Sequence, residues 1–204
     1  MPGLESSLTV LALWAVLGYA MGSVPFGMVL SRVMNLGDLR QIGSGNIGAT
    51  NVLRTGNKTA AALTLLLDAA KGAVALLLAR AITGQEDAAQ VAGFAAMLGH
   101  CYPIWLGFRG GKGVATFIGL MLALNFLVGL GVCVAWLIGA AIWRISSMGA
   151  LVAAASSTFL MIFLDYGQAM LMGVLLTLLI FWRHRENIRR VKNGTEPKIG
   201  QKTA

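Results

Sequence analysis

The sequence predicts an all-α integral membrane protein with seven transmembrane helices, and its composition, apolar runs and charge distribution each support this fold class. Of its 204 residues, 57% are hydrophobic and only 12% are charged, whereas soluble domains carry about 25% charged residues. The apolar residues form runs of the length that a bilayer requires. The basic residues collect between alternate runs, which gives the chain an orientation.

The apolar runs define the spans, since a helix crosses the hydrocarbon core with about 20 apolar residues. Three separate runs are candidate spans: 8–30, 60–79 and 89–108. The charge-free run 113–143 is too long for one span, and a turn near Asn125 would divide it into two short ones. The run 145–182 is interrupted only at residues 165–168, which predict a hairpin turn between the last two spans.

The orientation follows from the basic residues, which are enriched in cytoplasmic loops. If the run 113–143 crosses twice, all the basic clusters lie on one side of the membrane; a single crossing would split them between both sides. We therefore predict that the N-terminus is outside and the C-terminus cytoplasmic. Because no linker interrupts the chain, residues 1–204 are expected to form a single domain.

The first polar segment, residues 43–54, contrasts with the apolar chain around it. Its glycines allow a ligand to approach the backbone closely, and successive N–H groups in such a turn can bind an anion. Five side chains add hydrogen-bond donors or a cation suited to phosphate: Ser44, Asn46, Thr50, Asn51 and Arg54. Because this backbone would be unsatisfied against lipid, we predict that the segment lines a wet phosphate site at the membrane face.

The second polar segment, residues 99–116, contains a Gly-Gly-Lys-Gly sequence. Its backbone is free to surround an anion at Gly110, Gly111 and Gly113. Lys112 adds a positive charge, and Thr116 adds a hydroxyl one turn into the next helix. It is not a Walker A motif, because a glycine follows the lysine. A plain turn between helices with a basic flank would have the same features, but together with the first segment it predicts phosphate binding.

The third polar segment, residues 183–196, is a basic run directly after the last span. Such runs commonly fix topology and contact anionic lipids, and we assign that role to Arg189, Arg190 and Lys192. His184 and Asn187 differ because their i, i+3 spacing puts them on one helix face beside the membrane. They are therefore candidates for the site.

Two smaller groups leave alternatives open. Ser146 and Ser147 are a cytoplasmic hydroxyl pair that either joins the site or caps a helix. Asp68 and Lys71 lie inside the second span at i, i+3, and charged residues at that depth favour a functional hypothesis. A mutually neutralised structural pair is an equal alternative. His100, at the start of the second polar segment, is a further candidate.

The three polar segments, together with the sequence Gly-Ser-Val-Pro-Phe-Gly at 22–27, resemble the bacterial acyl-phosphate:glycerol-3-phosphate acyltransferase family, usually called PlsY. The resemblance covers nearly the whole chain in order. It implies a seven-span enzyme of the bacterial inner membrane with a cytoplasmic active site. The implied reaction transfers a fatty acyl group from acyl phosphate to the 1-hydroxyl of sn-glycerol 3-phosphate, giving lysophosphatidate and phosphate in the first acylation step of phospholipid synthesis.

The resemblance also implies roles for the residues that match its motifs. Acyl phosphate would be bound by the second segment, at Gly110, Gly111, Lys112, Gly113 and Thr116. Glycerol 3-phosphate or phosphate would be bound at Asn46, Thr50, Asn51, Ser146 and Ser147. The catalytic set would be Ser44, Arg54, Lys112, His184 and Asn187. The expected partners are the two substrates, membrane lipid and the soluble enzyme that makes acyl phosphate, with no cofactor, metal or nucleic acid.

The H-x4-D dyad of many acyltransferases is absent, since Trp105 follows His100 and Arg189 follows His184 at the required distance. The base must then be His184 or a phosphate of the substrate, and we favour the substrate, with His184 in a positioning and polarising role.

Two other function classes fit the sequence less well. A transporter or anion channel would require ionisable groups near the midplane from both halves, but only Asp68 and Lys71 lie deep. A phosphatidyltransferase would need carboxylates to hold a metal, and the eight acidic residues are scattered singly. Cys101 and Cys133 stand in apolar surroundings and predict neither a disulfide framework nor a metal site.

Overall fold

The computed structural model describes residues 3–201, and within them the regular structure consists of ten α-helices, three short 3-10 helices and no β-strand. The helices are α1 (Leu8–Gly22), α2 (Phe26–Val33), α3 (Ala49–Val52), α4 (Lys58–Thr83), α5 (Glu86–Cys101), α6 (Val114–Leu124), α7 (Phe126–Trp143), α8 (Ser146–Phe163), α9 (Met170–Arg183) and α10 (Arg185–Lys192). Seven of the α-helices, α1 and α4 to α9, overlap the seven predicted spans.

Several helices have the length and composition to cross a bilayer. Four stretches meet this requirement, Leu8–Val33, Lys58–Thr83, Phe126–Trp143 and Ser146–Phe163. A fifth, Gly167–Arg183 with Arg185–Lys192, is bent by 58°. Large apolar side chains cover the outside of the bundle, such as Leu8 at 85% and Phe163 at 87% exposure, which is the surface expected against lipid. The number of crossings, the orientation of the termini and the single domain stay predictions.

Two predicted spans differ from the helices that form. The predicted span 8–30 is broken after Gly22, and α2 begins only at Phe26, because Pro25 offers no N–H to continue the helix. The predicted span 89–108 is instead α5, which begins at Glu86 and ends at Cys101, two residues before Pro103. Both differences occur next to the polar segments, where the chain leaves regular helix.

The two predicted turns are observed. Asn125 separates α6 from α7 and caps α7, because its Oδ1 accepts from the N–H groups of Leu127 at 3.0 Å and Val128 at 3.2 Å. The turn predicted at residues 165–168 lies between α8 and α9.

Small residues bring α1 and α5 close together. Gly18 lies against the backbone of Ala92, and Gly22 lies against the backbone of Ala96, so that a Cβ at either glycine would clash. Close packing through small residues is how helices associate in lipid, where the hydrophobic effect between helices is weak. This packing fixes the C-terminal end of α5, from which the second polar segment emerges.

Candidate active site

The first polar segment is held together by Asn51, which lies on α3 and is 1% exposed. Its Nδ2 donates to the Leu39 carbonyl oxygen at 2.9 Å. Its Oδ1 accepts from the backbone N–H of Ser44 at 3.1 Å and from the Arg54 guanidinium at 3.3 Å. The Arg54 side chain passes close to Gly43, whose φ of +52° favours glycine. Asn51 therefore orients Ser44 and Arg54, and its own amide is used within the protein.

A chain of hydrogen bonds joins the second polar segment to the third. The Lys112 Nζ donates to Asn187 Oδ1 at 2.5 Å, and Asn187 Nδ2 donates to Glu196 Oε1 at 2.5 Å. The same Oε1 accepts from the Ser147 hydroxyl at 2.7 Å, and Oε2 accepts from Arg190 Nε at 2.7 Å. Side chains from α8, α10 and the loop before α6 thus meet at one point, and we call these five residues the Lys112 network.

The electrostatics of the Lys112 network follow from its burial. Burial lowers the pKa of Lys112 to about 8; the Glu196 carboxylate opposes this shift, while nearby arginines, including Arg54, reinforce it. Burial also raises the pKa of Glu196, but its three hydrogen bonds outweigh that effect, so the pKa is lowered overall. Lys112 is therefore a cation that is incompletely compensated, and an anionic ligand beside it would be stabilised.

His184 follows the last residue of α9 and is 2% exposed. Its Nδ1 lies 2.8 Å from the Ile180 carbonyl oxygen. Because a carbonyl can only accept, we assign the proton to Nδ1, which leaves Nε2 as an acceptor. Burial, followed by the Lys112 charge, lowers the pKa of His184 to about 4. The imidazole is therefore neutral near pH 7 and a weak base.

The backbone groups of the double glycine in the second polar segment form hydrogen bonds within the protein and are not free to bind a ligand. The N–H groups of Gly110 and Gly111 donate to the Cys101 and His100 carbonyls, each at 3.1 Å. Their carbonyl oxygens accept from Arg183 at 3.1 Å each. The donors left for an anion are the Lys112 ammonium and the N–H groups in the first turn of α6, which have no carbonyl partner within the helix.

The first turn of α8 connects the first polar segment to the Lys112 network. The hydroxyls of Thr50 and Ser146 lie 3.2 Å apart, and the neighbouring Ser147 contacts Glu196. Neither serine is the N-cap of α8, which is Ile145. Asn46 is half-buried beside Gly48 in the first segment. The structure therefore brings together residues from both predicted phosphate segments, the start of α8 and the third segment.

Four predicted or candidate residues lie inside the helix bundle instead. Thr116 is fully buried and its hydroxyl donates to the Asp68 carbonyl oxygen at 2.8 Å. Asp68 and Lys71 form an ion pair at 2.8 Å, as their i, i+3 spacing allows. His100 Nδ1 lies 3.7 Å from Asp68 Oδ1. Within residues 3–201, no three His, Cys, Asp or Glu side chains lie close enough together to hold a metal ion.

A family model described as glycerol-3-phosphate acyltransferase matches residues 12–194, almost the full length of the chain. This chain belongs to the glycerol-3-phosphate acyltransferase family. Two curated relatives of that name are similar along their entire lengths. The protein of Ruegeria pomeroyi is 68% identical over 204 residues, covering 100% of both chains. The protein of Roseobacter denitrificans is 65% identical over 199 residues, covering 98% of this chain and 99% of the relative.

Two solved structures share the fold. Both are crystal structures of PlsY (YgiH), an integral membrane glycerol 3-phosphate acyltransferase, in a glycerol 3-phosphate form and a lysophosphatidic acid form. Each is 36% identical and covers 93% of this chain, with TM-scores of 0.87 and 0.85 over 96% and 95% of the solved chains. The prediction of an all-helical, multi-pass integral membrane protein in this family is thereby confirmed.

The candidate site contains two residues that the sequence pattern does not single out. Glu196 accepts three hydrogen bonds in the Lys112 network, and Arg183 holds both glycine carbonyls while stacking 4.9 Å above the Tyr102 ring. A third residue, Arg190, was assigned to topology and lipid contact, but in the structure it pairs with Glu196. The available signal was that Glu196 is a single acidic residue after a run of cations.

Proposed function

We propose that this chain transfers a fatty acyl group from acyl phosphate to the 1-hydroxyl of sn-glycerol 3-phosphate, with 1-acyl-sn-glycerol 3-phosphate and phosphate as products. Family membership supports acylation of glycerol 3-phosphate. The observation that carries the finer proposal is the position of Lys112, a half-buried cation that lies just before the first turn of α6 and is held there by Asn187. The Arg54 charge acts on it from the first polar segment. Two cations on separate segments suit a reaction in which two phosphates must lie side by side.

Acyl phosphate is a mixed anhydride and is already activated, so that catalysis requires alignment, charge stabilisation and one proton transfer. The oxygen of the 1-hydroxyl attacks the acyl carbon, and the bond from that carbon to the phosphate oxygen breaks. Lys112 and the first-turn N–H groups of α6 would stabilise the departing phosphate. Ser44 and Arg54, oriented by Asn51, would bind the phosphate of the acceptor.

The proton of the attacking hydroxyl goes to a phosphate oxygen of the substrate. A general base works best when its pKa lies near the operating pH, and the pKa of His184 is about 4, whereas phosphate monoesters have a pKa near 6. His184 would accept a hydrogen bond at Nε2 and so orient and polarise the hydroxyl. This supports substrate assistance over a histidine base.

The proposal also includes the membrane and the compartment in which the reaction takes place. The site would face the cytoplasm from the bacterial inner membrane, where acyl phosphate arrives from the soluble enzyme that makes it. Its acyl chain would lie among the lipid-facing helices, while the headgroup would reach the polar segments. Asn46, Thr50 and Ser146 would add hydrogen bonds to the acceptor, and Asn187 would hold Lys112.

The test is an assay of purified protein in lipid with labelled glycerol 3-phosphate and one acyl donor at a time. Palmitoyl phosphate should yield lysophosphatidate, whereas palmitoyl-CoA and palmitoyl acyl-carrier protein should not. Lysophosphatidate formed only from a thioester would refute the proposed donor. Movement of glycerol 3-phosphate across liposomes without any acylated product would favour a transporter instead.

Variants then test the site. Lys112→Ala, Arg54→Ala and His184→Ala should each reduce turnover by about 100-fold or more, because each removes an interaction with a reacting or charged group. Arg189→Ala is the matched control, since Arg189 is an exposed cation of α10, and it should retain activity. Full activity in the three site variants would remove the site assignment.

A further inference from the structure

Three polar side chains lie inside the helix bundle behind the second polar segment and take no part in the proposed reaction. Asp68 is 2% exposed, Lys71 is 6% exposed and His100 is 4% exposed. Besides its ion pair with Asp68, Lys71 donates to the Val24 carbonyl oxygen at 2.8 Å. Burying charged side chains within a membrane bundle is costly in free energy. Apolar residues of similar volume would be buried there at a lower cost.

One of these side chains, the His100 ring, lies against the backbone beside Lys112, and two of these residues also contact the chain near Lys112 through their backbone carbonyls. On the N-terminal side, the Gly111 N–H donates to the His100 carbonyl at 3.1 Å. The His100 ring also lies directly against Gly111, where an added Cβ would be 2.8 Å from Cε1. On the C-terminal side, the Thr116 hydroxyl donates to the backbone carbonyl of Asp68, a contact that does not use the Asp68 carboxylate. The side-chain cluster therefore reaches the stretch that carries Lys112 through the His100 ring, whose Nδ1 lies 3.7 Å from Asp68 Oδ1.

The cluster also joins this stretch to the break between α1 and α2. The carbonyls of Ser23 and Val24 lose their helical partners at that break, and they accept from Trp105 Nε1 and Lys71 Nζ, each at 2.8 Å. Trp105 belongs to the second polar segment. The break, the segment and the two helices α4 and α5 are therefore connected through one set of buried contacts.

We propose that Asp68, Lys71 and His100 are positioning residues that hold the second polar segment so that the Lys112 ammonium meets the phosphate of the acyl donor. Because they are buried, they act through the contact of the His100 ring with Gly111 rather than on substrate. This inference rests on the proposed function, since it assigns the acyl donor to Lys112. It resolves the two alternatives for Asp68 and Lys71 in favour of an indirect role.

The expected effect is specific to one substrate. A displacement of about 1 Å at a catalytic group can cost about 100-fold, and loss of the His100 ring contact with Gly111 would displace the adjacent Lys112 from the phosphate of the acyl donor. The first polar segment is held by Asn51 and not by the cluster. Loss of the cluster should therefore raise KM for acyl phosphate and leave KM for glycerol 3-phosphate unchanged.

Two variants remove the cluster in different ways. Asp68→Asn combined with Lys71→Met neutralises both charges at once, because a single change would leave a strongly destabilising unpaired charge. His100→Leu removes the ring nitrogens near Gly111 while filling most of the volume. We expect each to raise KM for acyl phosphate by about tenfold or more, with KM for glycerol 3-phosphate within about twofold of the wild type.

The matched control is the pair Arg80→Met with Glu86→Gln. Arg80 and Glu86 form an ion pair at 2.5 Å between the same two helices, α4 and α5. At 1.5 Å per helical residue they lie about 18 Å from Asp68. This control also removes an ion pair from α4 and α5, at a more exposed position, and should keep both KM values.

An assay of the wild-type protein comes first, because it distinguishes a failure of the proposed function from a failure of this inference. Failure of the wild type to use acyl phosphate would refute the proposed function itself. With an active wild type, a KM increase confined to acyl phosphate in the cluster variants supports the inference. Four outcomes would each overturn it: unchanged KM values, equal increases for both substrates, the same increase in the control, or cluster variants that never fold. In each case the cluster would serve stability alone or would also affect the acceptor.

Discussion

Lys112 has a charge that depends on pH within the range in which enzymes are assayed. Burial lowers the pKa of Lys112 to about 8, so that the ammonium is present below that pH and is lost as the pH rises through it. If only the ammonium binds acyl phosphate, kcat/KM for acyl phosphate should be level below pH 8 and fall about tenfold for each further pH unit. The measurement is the pH profile of kcat/KM with glycerol 3-phosphate saturating.

The matched variant for this profile is Lys112→Arg, because a guanidinium stays protonated throughout the range. Its kcat/KM will be lower at every pH, since the side chain has a different shape, but the decline above pH 8 should disappear. If the decline persists in this variant, another group causes it.

Asn51 should contribute to stability rather than to binding. Asn51→Leu would leave the Leu39 carbonyl and the Ser44 N–H without their partner, and an unsatisfied buried group costs about 1–3 kcal/mol. We expect a loss of about 2 kcal/mol in the free energy of unfolding, measured by denaturant titration in detergent. Asn46→Leu is the control, since Asn46 is only half-buried, and it should cost less. Equal losses would contradict the role given to Asn51.

The sequence identifies polar residues more readily than their partners. Ser44, Arg54 and Lys112 are conspicuous because they interrupt an apolar chain. The partnership of Ser147 with Glu196 spans 49 residues and depends on how the chain after α10 folds back, which no local pattern records. Similarly, the glycines at 110 and 111 predict a free backbone, whereas their N–H groups are used by the end of α5. Such contacts belong to tertiary structure.

At the scale of elements, hydropathy predicts the positions of helices more accurately than the positions of the breaks within them. The division of the run 113–143 at Asn125 is observed because two short helices need a capping residue between them. The break after Gly22 is not predicted, because hydropathy does not record which backbone carbonyls will find donors. Here the freed carbonyls of Ser23 and Val24 accept from Trp105 and Lys71, so that α1 can end within an apolar run.

Helix α6 is short and its C-terminal carbonyls depend on side chains from other elements. The Tyr166 hydroxyl donates to the Leu124 carbonyl at 2.8 Å, and Arg80 donates to the Ala123 carbonyl at 2.9 Å. Tyr166→Phe should therefore reduce the free energy of unfolding by about 1 kcal/mol, measured in detergent. Phe163→Leu, on an exposed neighbouring ring, should have a smaller effect. A Tyr166→Phe protein as stable as the wild type would show that water replaces the hydroxyl.

At the scale of the whole molecule, charge and contacts divide the bundle into two ends. At one end the backbone N–H of Glu5 donates to Asp87, Arg80 pairs with Glu86, and Tyr166 contacts the end of α6. The other end carries the three polar segments and most of the cations. The apolar helices α1 and α4 to α9 alternate in direction between these two ends, as seven crossings would require. That the polar end faces the cytoplasm stays a prediction.

This topology predicts which positions a membrane-impermeant thiol reagent can reach in intact spheroplasts. Asp165→Cys, at the turn between α8 and α9, should react from outside, whereas Lys198→Cys should react only after permeabilisation. Cys133 is replaced by serine in both proteins, while Cys101 is fully buried. If only Lys198→Cys reacted from outside, the orientation of the protein would be the reverse of the predicted one. Reaction of both from one side would mean that the chain between them does not cross the bilayer, and the polar end would then not face the compartment that supplies its substrates.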